Sequence, residues 1–233
     1  MEAAKKSGSV RRVVITSSIL GITSYKDHVT PGDTIFNEKS RTTSYPEPYA
    51  DASEAYAVGK AKALNETEAW MEREKASITF DVVNIFPGFV IGRDELMTDA
   101  SDAFRGTNKV ILGPIKGLDW GSVSGCSVHV RDVAMAHIKS LDSKIPGNQG
   151  FLLVSEGVKG TYWENMFEIV AQHFPDAVKA GTLSNNGKIK SIPAKYDASE
   201  TEKALGFKHR DFKSQVIDVV DHYLELVAAS QQG

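Results

Sequence analysis

Three short stretches rich in apolar β-branched and aromatic residues predict strands. They are residues 10–17, 78–86 and 149–155, and Pro87-Gly88 stops the second of them. An apolar run without polar alternation is typical of a strand that is buried on both faces of a parallel sheet. We therefore expect a parallel sheet that contains these three runs.

Helical segments separate these runs. From about Asp51 to Lys75 the chain is rich in Ala, Glu, Lys and Leu, with no proline and one glycine. This composition favours a long helix. Its buried face is predicted to include Ala55, Val58, Ala63, Ala69 and Trp70. Further helices are predicted after His129–Asp132 and at residues 161–173, 197–205 and 211–228.

Two segments indicate loops. Residues 25–50 are rich in Pro, Gly, Asp, Ser and Thr, and residues 107–127 contain a glycine at every fourth position from Gly113 together with Pro114. Such residues punctuate regular structure. Strands that alternate with helices predict an α/β fold. Because strands become sparse after residue 95, we expect the chain to fold into two parts, of which the second is mainly helical.

The expected organisation is a sheet-bearing domain at residues 1–95 and a smaller, mainly helical substrate lobe at 96–233. Residues 129–160 are expected to return to the sheet.

Composition narrows the classes of function. The chain has 233 residues, 41% of them hydrophobic, a formal net charge of -3 and a pI of about 6.1. A weakly acidic chain without long basic runs argues against nucleic acid as a partner. No apolar stretch has the length of a membrane span, so no membrane partner is expected. One cysteine, Cys126, excludes an internal disulfide and suits a reducing, cytoplasmic location.

The strongest candidate for chemistry is the pair Tyr56 and Lys60. Positions four residues apart share one face of a helix, so a phenol and an ammonium group meet. A free tyrosine is a poor acid at neutral pH, and a cation beside it stabilises the phenolate. Such a pair can give a proton to a carbonyl oxygen. The alternative is a surface aromatic residue beside a solvated lysine.

Two other segments are expected near this pair, because ligands of open α/β sheets bind outside the carboxyl ends of the strands. Ser17 and Ser18 end the first strand, and Pro87–Val90 follow the second. A serine there can hydrogen-bond the same carbonyl oxygen, and Pro-Gly is expected to form a turn with free backbone groups. The alternatives are a serine that satisfies its own backbone and an ordinary loop.

Five segments in this order resemble the extended short-chain dehydrogenases/reductases, the NAD-dependent epimerase/dehydratase family. Within it the resemblance is to dihydroflavonol, cinnamoyl-CoA and methylglyoxal or aldehyde reductases. The segments are residues 11–18 (RRVVITSS), 56–60 (YAVGK), 80–96 (FDVVNIFPGFVIGRDEL), 129–138 (HVRDVAMAHI) and 196–226 (YDASETEKALGFKHRDFKSQVIDVVDHYLEL). The resemblance extends over nearly the whole chain.

The resemblance implies an NAD(P)-dependent oxidoreductase that reduces an aldehyde or ketone of a small molecule. Ser18, Tyr56 and Lys60 match the catalytic serine, the proton donor and the lysine that holds the nicotinamide ribose. The cofactor, NADP or NAD, would contact Tyr56, Lys60 and the strand-end residues Pro87, Gly88 and Val90. No metal is expected.

A homodimer through the helix of Tyr56 is a further implication of the resemblance. His129, Arg131 and Asp132 match the start of a later helix and are interpreted as structural, with Asp132 as a charge at the helix N-terminus.

One feature of the family is not found. Its glycine-rich turn binds the cofactor pyrophosphate, and neither G-x-G-x-x-G nor G-x-x-G-x-x-G occurs in the chain. The expected fold is therefore an incomplete Rossmann-type sheet that lacks the first βαβαβ half. The strand at 10–17 would become an apolar edge, and weak or no NAD(P) binding is expected.

Three interpretations remain open beside an active reductase. They are an inactive remnant or binding module, an incomplete gene model, and an epimerase or dehydratase on the same fold.

Overall fold

The computed structural model describes residues 1–231. The strands are β1 (Arg12–Thr16), β2 (Asp81–Pro87), β3 (Phe89–Ile91), β4 (Asp119–Ser124), β5 (Ser127–His129), β6 (Gln149–Leu153) and β7 (Lys188–Ile192). The helices are α1 (Glu2–Ser7), α2 (Tyr25–Val29), α3 (Ala52–Glu74), α4 (Lys109–Ile115), α5 (Val130–Ser140), α6 (Asn165–His173), α7 (Pro175–Lys179), α8 (Ser199–Leu205) and α9 (Phe212–Ser230). This is an α/β architecture, as the sequence pattern predicts.

The central sheet is parallel, with strand order β1-β2-β6. Val14 of β1 is opposite Val83 of β2, and Ile85 of β2 is opposite Phe151 of β6. The interior strand β2 is buried from Val82 to Pro87, because helices cover both of its faces. The three predicted strands are confirmed. Strand β6 comes from the second half of the chain and completes a sheet that begins in the first half.

Strand β1 is an edge of this sheet in the part of the chain that the structure describes. The Ser17 N–H donates to the Ile85 carbonyl at 2.8 Å. Backbone groups alternate in direction along a parallel strand, so Val14 and Thr16 direct their N–H and C=O groups away from β2. The outer side of β1 therefore presents open donors and acceptors.

Helix α3 carries the candidate proton donor across one face of the sheet. It begins after Asp51, whose carboxylate accepts the N–H groups of Ser53 and Glu54 and so caps the helix. The residues that α3 buries are Ala57, Val58, Ala61 and Leu64. The prediction that Ala63 and Ala69 lie on the buried face is wrong, since both are exposed. They fall outside the stripe of α3 that contacts the sheet, which is formed by residues 57, 58, 61 and 64.

The interpretation of residues 107–127 as a loop is also wrong. The segment contains α4 and β4, and β4 pairs in parallel with β7. A Cβ atom on Gly113 would lie 2.6 Å from the Trp120 ring. The glycine therefore permits close packing of a helix on a strand, and does not mark a break in structure. Residues 25–50 likewise contain the short helix α2.

A second hydrophobic core lies outside the sheet. Helices α4, α6 and α9 and the residues just before α6 bury large side chains together, among them Ile111, Trp163, Met166, Val216 and Val220. Strands β4 and β7 and the pair β3-β5 lie at its border with the sheet. Helix α5 packs on the sheet through Val133 and Ala136. No helix within residues 1–231 combines the length and the apolar character needed to cross a membrane.

Candidate functional site

Tyr56 and Lys60 lie together on α3, where the helix passes the carboxyl end of β1. The Tyr56 side chain is half exposed, and the Lys60 Nζ atom lies 5.7 Å from the centre of its ring. The same Nζ donates to the Thr16 carbonyl at 3.4 Å. The cation is thereby held between the phenol and the last residue of the strand.

Ser18 follows β1 and is buried. Its backbone is extended, and its Oγ accepts the Leu20 N–H at 3.2 Å, which caps the short 3-10 turn Ile19–Gly21. The turn packs on α3, because a Cβ atom on Gly21 would lie 3.5 Å from the Lys60 carbonyl. The serine thus satisfies a local N–H, while its own hydroxyl hydrogen is free to be donated. A catalytic role for Ser18 stays a prediction.

The segment from Pro87 to Phe89 continues from one strand into the next. The expectation of a turn with free backbone groups is wrong: Pro87 ends β2 and Phe89 begins β3. The Gly88 N–H donates to the Leu153 carbonyl at 3.0 Å, and the Phe89 N–H donates to the Cys126 carbonyl at 2.8 Å. A Cβ atom on Gly88 would lie 2.4 Å from that Cys126 oxygen. Glycine is therefore required here for close strand packing.

Val90 lies half-buried in β3, and its carbonyl accepts the Thr107 hydroxyl. The N–H groups of Gly88 and Phe89 are occupied by the Leu153 and Cys126 carbonyls. The assignment of Pro87, Gly88 and Val90 to cofactor binding stays a prediction.

A cavity of about 520 Å³ opens beside Tyr56. Its walls are mainly apolar and aromatic, and among the described residues that line it Lys109 alone has a full charge. The lining residues are Leu20, Tyr25, His28, Val29, Ala52, Ser53, Tyr56, Phe89, Lys109, Val110, Trp120, Ser122, Val123, Ser124 and Ile192. A cavity with few polar groups is typical of small-molecule sites.

His28 was missed by sequence reasoning, because it belongs to a segment interpreted as a loop. Its side chain is buried in the cavity wall. The Nδ1 atom lies 3.3 Å from the Tyr196 hydroxyl, and the His28 carbonyl accepts the Ser124 hydroxyl. Burial lowers the pKa of His28 to about 4, so the ring is neutral at neutral pH. The capping serine Ser24, whose Oγ accepts the Asp27 N–H, was the available signal of a helix here.

The residues interpreted as structural lie away from this cavity. His129 caps α5, since its Nδ1 accepts the Arg131 N–H at 3.1 Å. Asp132 lies in the first turn of α5 and is fully buried. Its carboxylate accepts the Arg210 N–H at 2.7 Å and forms an ion pair with the Arg210 guanidinium. Asp132 therefore ties α5 to the segment that precedes α9.

The chain matches no protein-family model, but it is similar in sequence to known proteins. It is 39% identical over 234 residues to ketoreductase CTB6 of Cercospora nicotianae, an alignment that covers 97% of this chain and 64% of that protein. It is 32% identical over 231 residues to NAD-dependent epimerase/dehydratase ALT6 of Alternaria alternata, with coverage of 93% and 64%. The chain thus spans 64% of the length of each of these curated relatives.

The fold is that of Rossmann-like reductases. The structure of yeast methylglyoxal/isovaleraldehyde reductase Gre2 complexed with NADPH superposes with a TM-score of 0.78 at 21% identity, over 97% of this chain and 68% of that chain. The fold therefore places this chain among the α/β proteins whose parallel sheet is like that of these reductases. Its homologues include ketoreductases and NAD-dependent epimerase/dehydratase proteins, which supports assignment to the short-chain dehydrogenase/reductase-like family.

Proposed function

We propose that the chain is an NAD(P)-dependent reductase that converts an aldehyde or ketone of a small molecule to the alcohol. The observation that carries this proposal is the Tyr56–Lys60 pair beside a mainly apolar cavity. A carbonyl compound in this cavity would have one polar group to satisfy. Tyr56 is a proton donor of the right kind on the cavity wall.

The proposed reaction divides the work between the cofactor and the chain. A nicotinamide cofactor, when bound, would supply hydride to the carbonyl carbon. The Tyr56 hydroxyl gives its proton to the carbonyl oxygen, and the positive charge of Lys60 stabilises the phenolate that remains. The Ser18 hydroxyl is proposed to donate a hydrogen bond to the same oxygen and to stabilise the charge that develops there.

The residues present fit one end of such a cofactor. Lys60 and the open edge of Thr16 offer a charged donor and a carbonyl acceptor for ribose hydroxyls. The half-buried Gly88 and Val90 are proposed to contact the ring, with the buried Pro87 supporting them from behind. The relatives named as NADPH-dependent favour NADPH over NADH. Because the chain carries no glycine-rich phosphate-binding motif, we infer that its own affinity for the cofactor is weak.

The test is Tyr56→Phe, which removes the proton donor and keeps the ring. NADPH oxidation by an aldehyde or ketone panel should fall by about 100-fold or more, within the range for a general acid. Tyr162→Phe is the matched control, because Tyr162 is exposed to a similar extent and lies outside the Tyr56 cavity. Unchanged turnover in Tyr56→Phe would overturn the proposal.

A cofactor titration separates the reductase from the alternative of a binding module. Nicotinamide fluorescence of NADPH is followed as the purified 233-residue chain is added. Saturable binding of NADPH, even in the millimolar range, supports the reductase. No binding up to millimolar NADPH would favour a module without cofactor-dependent chemistry.

Epimerase or dehydratase chemistry is the second candidate, because the relative ALT6 is named for it. Such a reaction would draw on an acidic residue beside the strand-end serine. Residues Ser18, Ile19 and Leu20 supply none, which favours simple reduction. Consumption of NADPH in stoichiometric amounts distinguishes reduction from a reaction that returns the cofactor unchanged.

A further inference from the structure

Among the polar side chains that line the cavity beside Tyr56, His28 is one for which the proposed reduction has no use. His28 is 7% exposed, yet its ring forms part of the cavity wall. Its Nδ1 faces the Tyr196 hydroxyl at 3.3 Å. For Nε2 no hydrogen-bond partner is found among residues 1–231, and this atom is not among the fully enclosed ones. The ring therefore turns an unsatisfied nitrogen toward open space.

The surrounding contacts hold the ring in this orientation. Ser124 donates its hydroxyl to the His28 carbonyl, and the Trp163 indole N–H donates to the Ser124 carbonyl at 2.9 Å. The Phe89 ring lies 6.4 Å from the His28 ring on one side and 5.7 Å from Trp163 on the other. Trp163 is fully buried, so His28 is anchored to the second core through consecutive contacts.

The Nε2 atom is reachable from the cavity, where water can hydrogen-bond to it. A ligand that displaces this water must offer a hydrogen bond in return, or the nitrogen loses its partner. The rest of the wall offers Leu20, Val110 and Trp120 to apolar parts of a ligand. The cavity thus combines an apolar interior, the Tyr56 hydroxyl and a second hydrogen-bonding point.

We propose that His28 is a specificity-determining residue whose Nε2 hydrogen-bonds a second oxygen of the carbonyl substrate. The substrate class is an apolar or aromatic ketone or aldehyde that also carries a hydroxyl group. With the Tyr196 hydroxyl donating to Nδ1, the Nε2–H is a donor. In the opposite tautomer Nε2 is an acceptor, and a substrate hydroxyl can satisfy either form. This inference rests on the proposed reductase function.

The experiment compares ketones that share one skeleton. The probes are 4-phenyl-2-butanone and its 2-, 3- and 4-hydroxyphenyl forms, assayed by NADPH oxidation. We expect kcat/KM for at least one hydroxylated ketone to exceed that of the parent by about tenfold, the value of one hydrogen bond. In His28→Phe this ratio should fall to about one. His28→Gln, which keeps a donor and an acceptor, should recover part of it.

His173→Phe is the matched control, because His173 is exposed on α6 and lies outside the cavity. In this variant the ratio of kcat/KM for the hydroxylated ketone to that for 4-phenyl-2-butanone should equal the ratio in the unmodified protein. Equal ratios in the parent protein and His28→Phe would overturn the role of His28. Turnover of 4-phenyl-2-butanone without any preference for hydroxylated forms would do the same while leaving the reductase proposal intact.

A binding measurement covers the case in which no ketone is reduced. Calorimetric titration of the chain with the same four ketones needs no cofactor. Tighter binding of a hydroxylated ketone, lost in His28→Phe and kept in His173→Phe, would support the role of His28 even though the reductase function had failed. Equal binding of all four ketones would overturn it.

Discussion

The Lys60 ammonium lies 5.7 Å from the centre of the Tyr56 ring and donates to the Thr16 carbonyl at 3.4 Å. The same charge therefore serves the phenol on one side and the end of β1 on the other. Its neighbour Lys62 lies on the same helix, forms an ion pair with Glu47 and approaches the Tyr45 ring. The two lysines form a natural pair for comparison.

Lys60→Gln should lower kcat/KM for carbonyl reduction by about 100-fold, because the phenolate of Tyr56 loses its counter-charge. The KM for NADPH should rise as well if the ammonium holds the nicotinamide ribose. Steady-state kinetics over a range of NADPH and ketone concentrations measures both effects. Lys62→Gln should leave them unchanged, and equal losses in the two variants would argue against a specific role of Lys60.

Two glycines near the site should respond to alanine in opposite directions. Gly88→Ala should lower the free energy of unfolding by about 3 kcal/mol, because the new Cβ would lie 2.4 Å from the Cys126 oxygen. Gly59→Ala should raise it by about 1 kcal/mol, since the helix gains propensity and the new Cβ meets nothing within 4 Å. Urea unfolding of both variants provides the measurement. A stable Gly88→Ala protein would contradict the packing described for this segment.

The pH dependence of stability should carry a contribution from His28. Burial lowers the pKa of its ring to about 4 in the folded chain, whereas an unfolded histidine titrates near 6.5. The unfolded state therefore binds the extra proton first, so the contribution is complete above about pH 6.5 and is lost as pH falls toward 4. Between pH 7 and 5 the loss is about 2 kcal/mol.

Urea unfolding at pH 7 and pH 5 tests this expectation. The parent protein should lose about 2 kcal/mol more stability than His28→Gln over the same interval. Other buried histidines, such as His129 and His209, also have a lowered pKa, and their contributions cancel between the two proteins. An identical pH dependence in both would show that His28 is not buried as described.

The ion pair of Asp132 with Arg210 should be structural. Asp132→Ala removes a fully buried carboxylate that holds both the Arg210 N–H and its guanidinium. We expect a loss of about 3 kcal/mol in the free energy of unfolding. Asp142→Ala, at an exposed carboxylate that accepts only the Lys144 N–H, should cost less than about 1 kcal/mol. A loss of activity in Asp132→Ala at unchanged stability would indicate a role in the reaction instead.

The sheet could be predicted because its strands contain apolar runs without regular polar alternation, and burial on both faces imposes that pattern. Helix α3 was equally evident from composition. Helix α4 and strand β4 were not, since Gly113 and Pro114 suggest a break. What keeps them regular is the Trp120 ring stacked against Gly113, a contact between residues whose pairing no local pattern reveals.

The residues of the candidate site also divide into those that the sequence could predict and those that it could not. Tyr56 and Lys60 could be paired from sequence because one helical turn separates them. The partners of His28 are Tyr196 and Ser124, distant in the chain and brought together only by the packing of β4 and the segment after β7. A lone histidine in a polar segment has no feature of its own that marks it as buried.

The outward carbonyl of Thr16 belongs both to the open edge of β1 and to the hydrogen bond of Lys60. A strand that paired with this edge would donate a backbone N–H to the Thr16 carbonyl oxygen. That oxygen would then accept from two donors, the N–H of the new strand and the Lys60 ammonium. Association at the edge and placement of the ammonium are thus thermodynamically linked, and each alters the other by the same coupling free energy. A strand bound at this side of the sheet would therefore shift the ammonium beside the proton donor without entering the cavity.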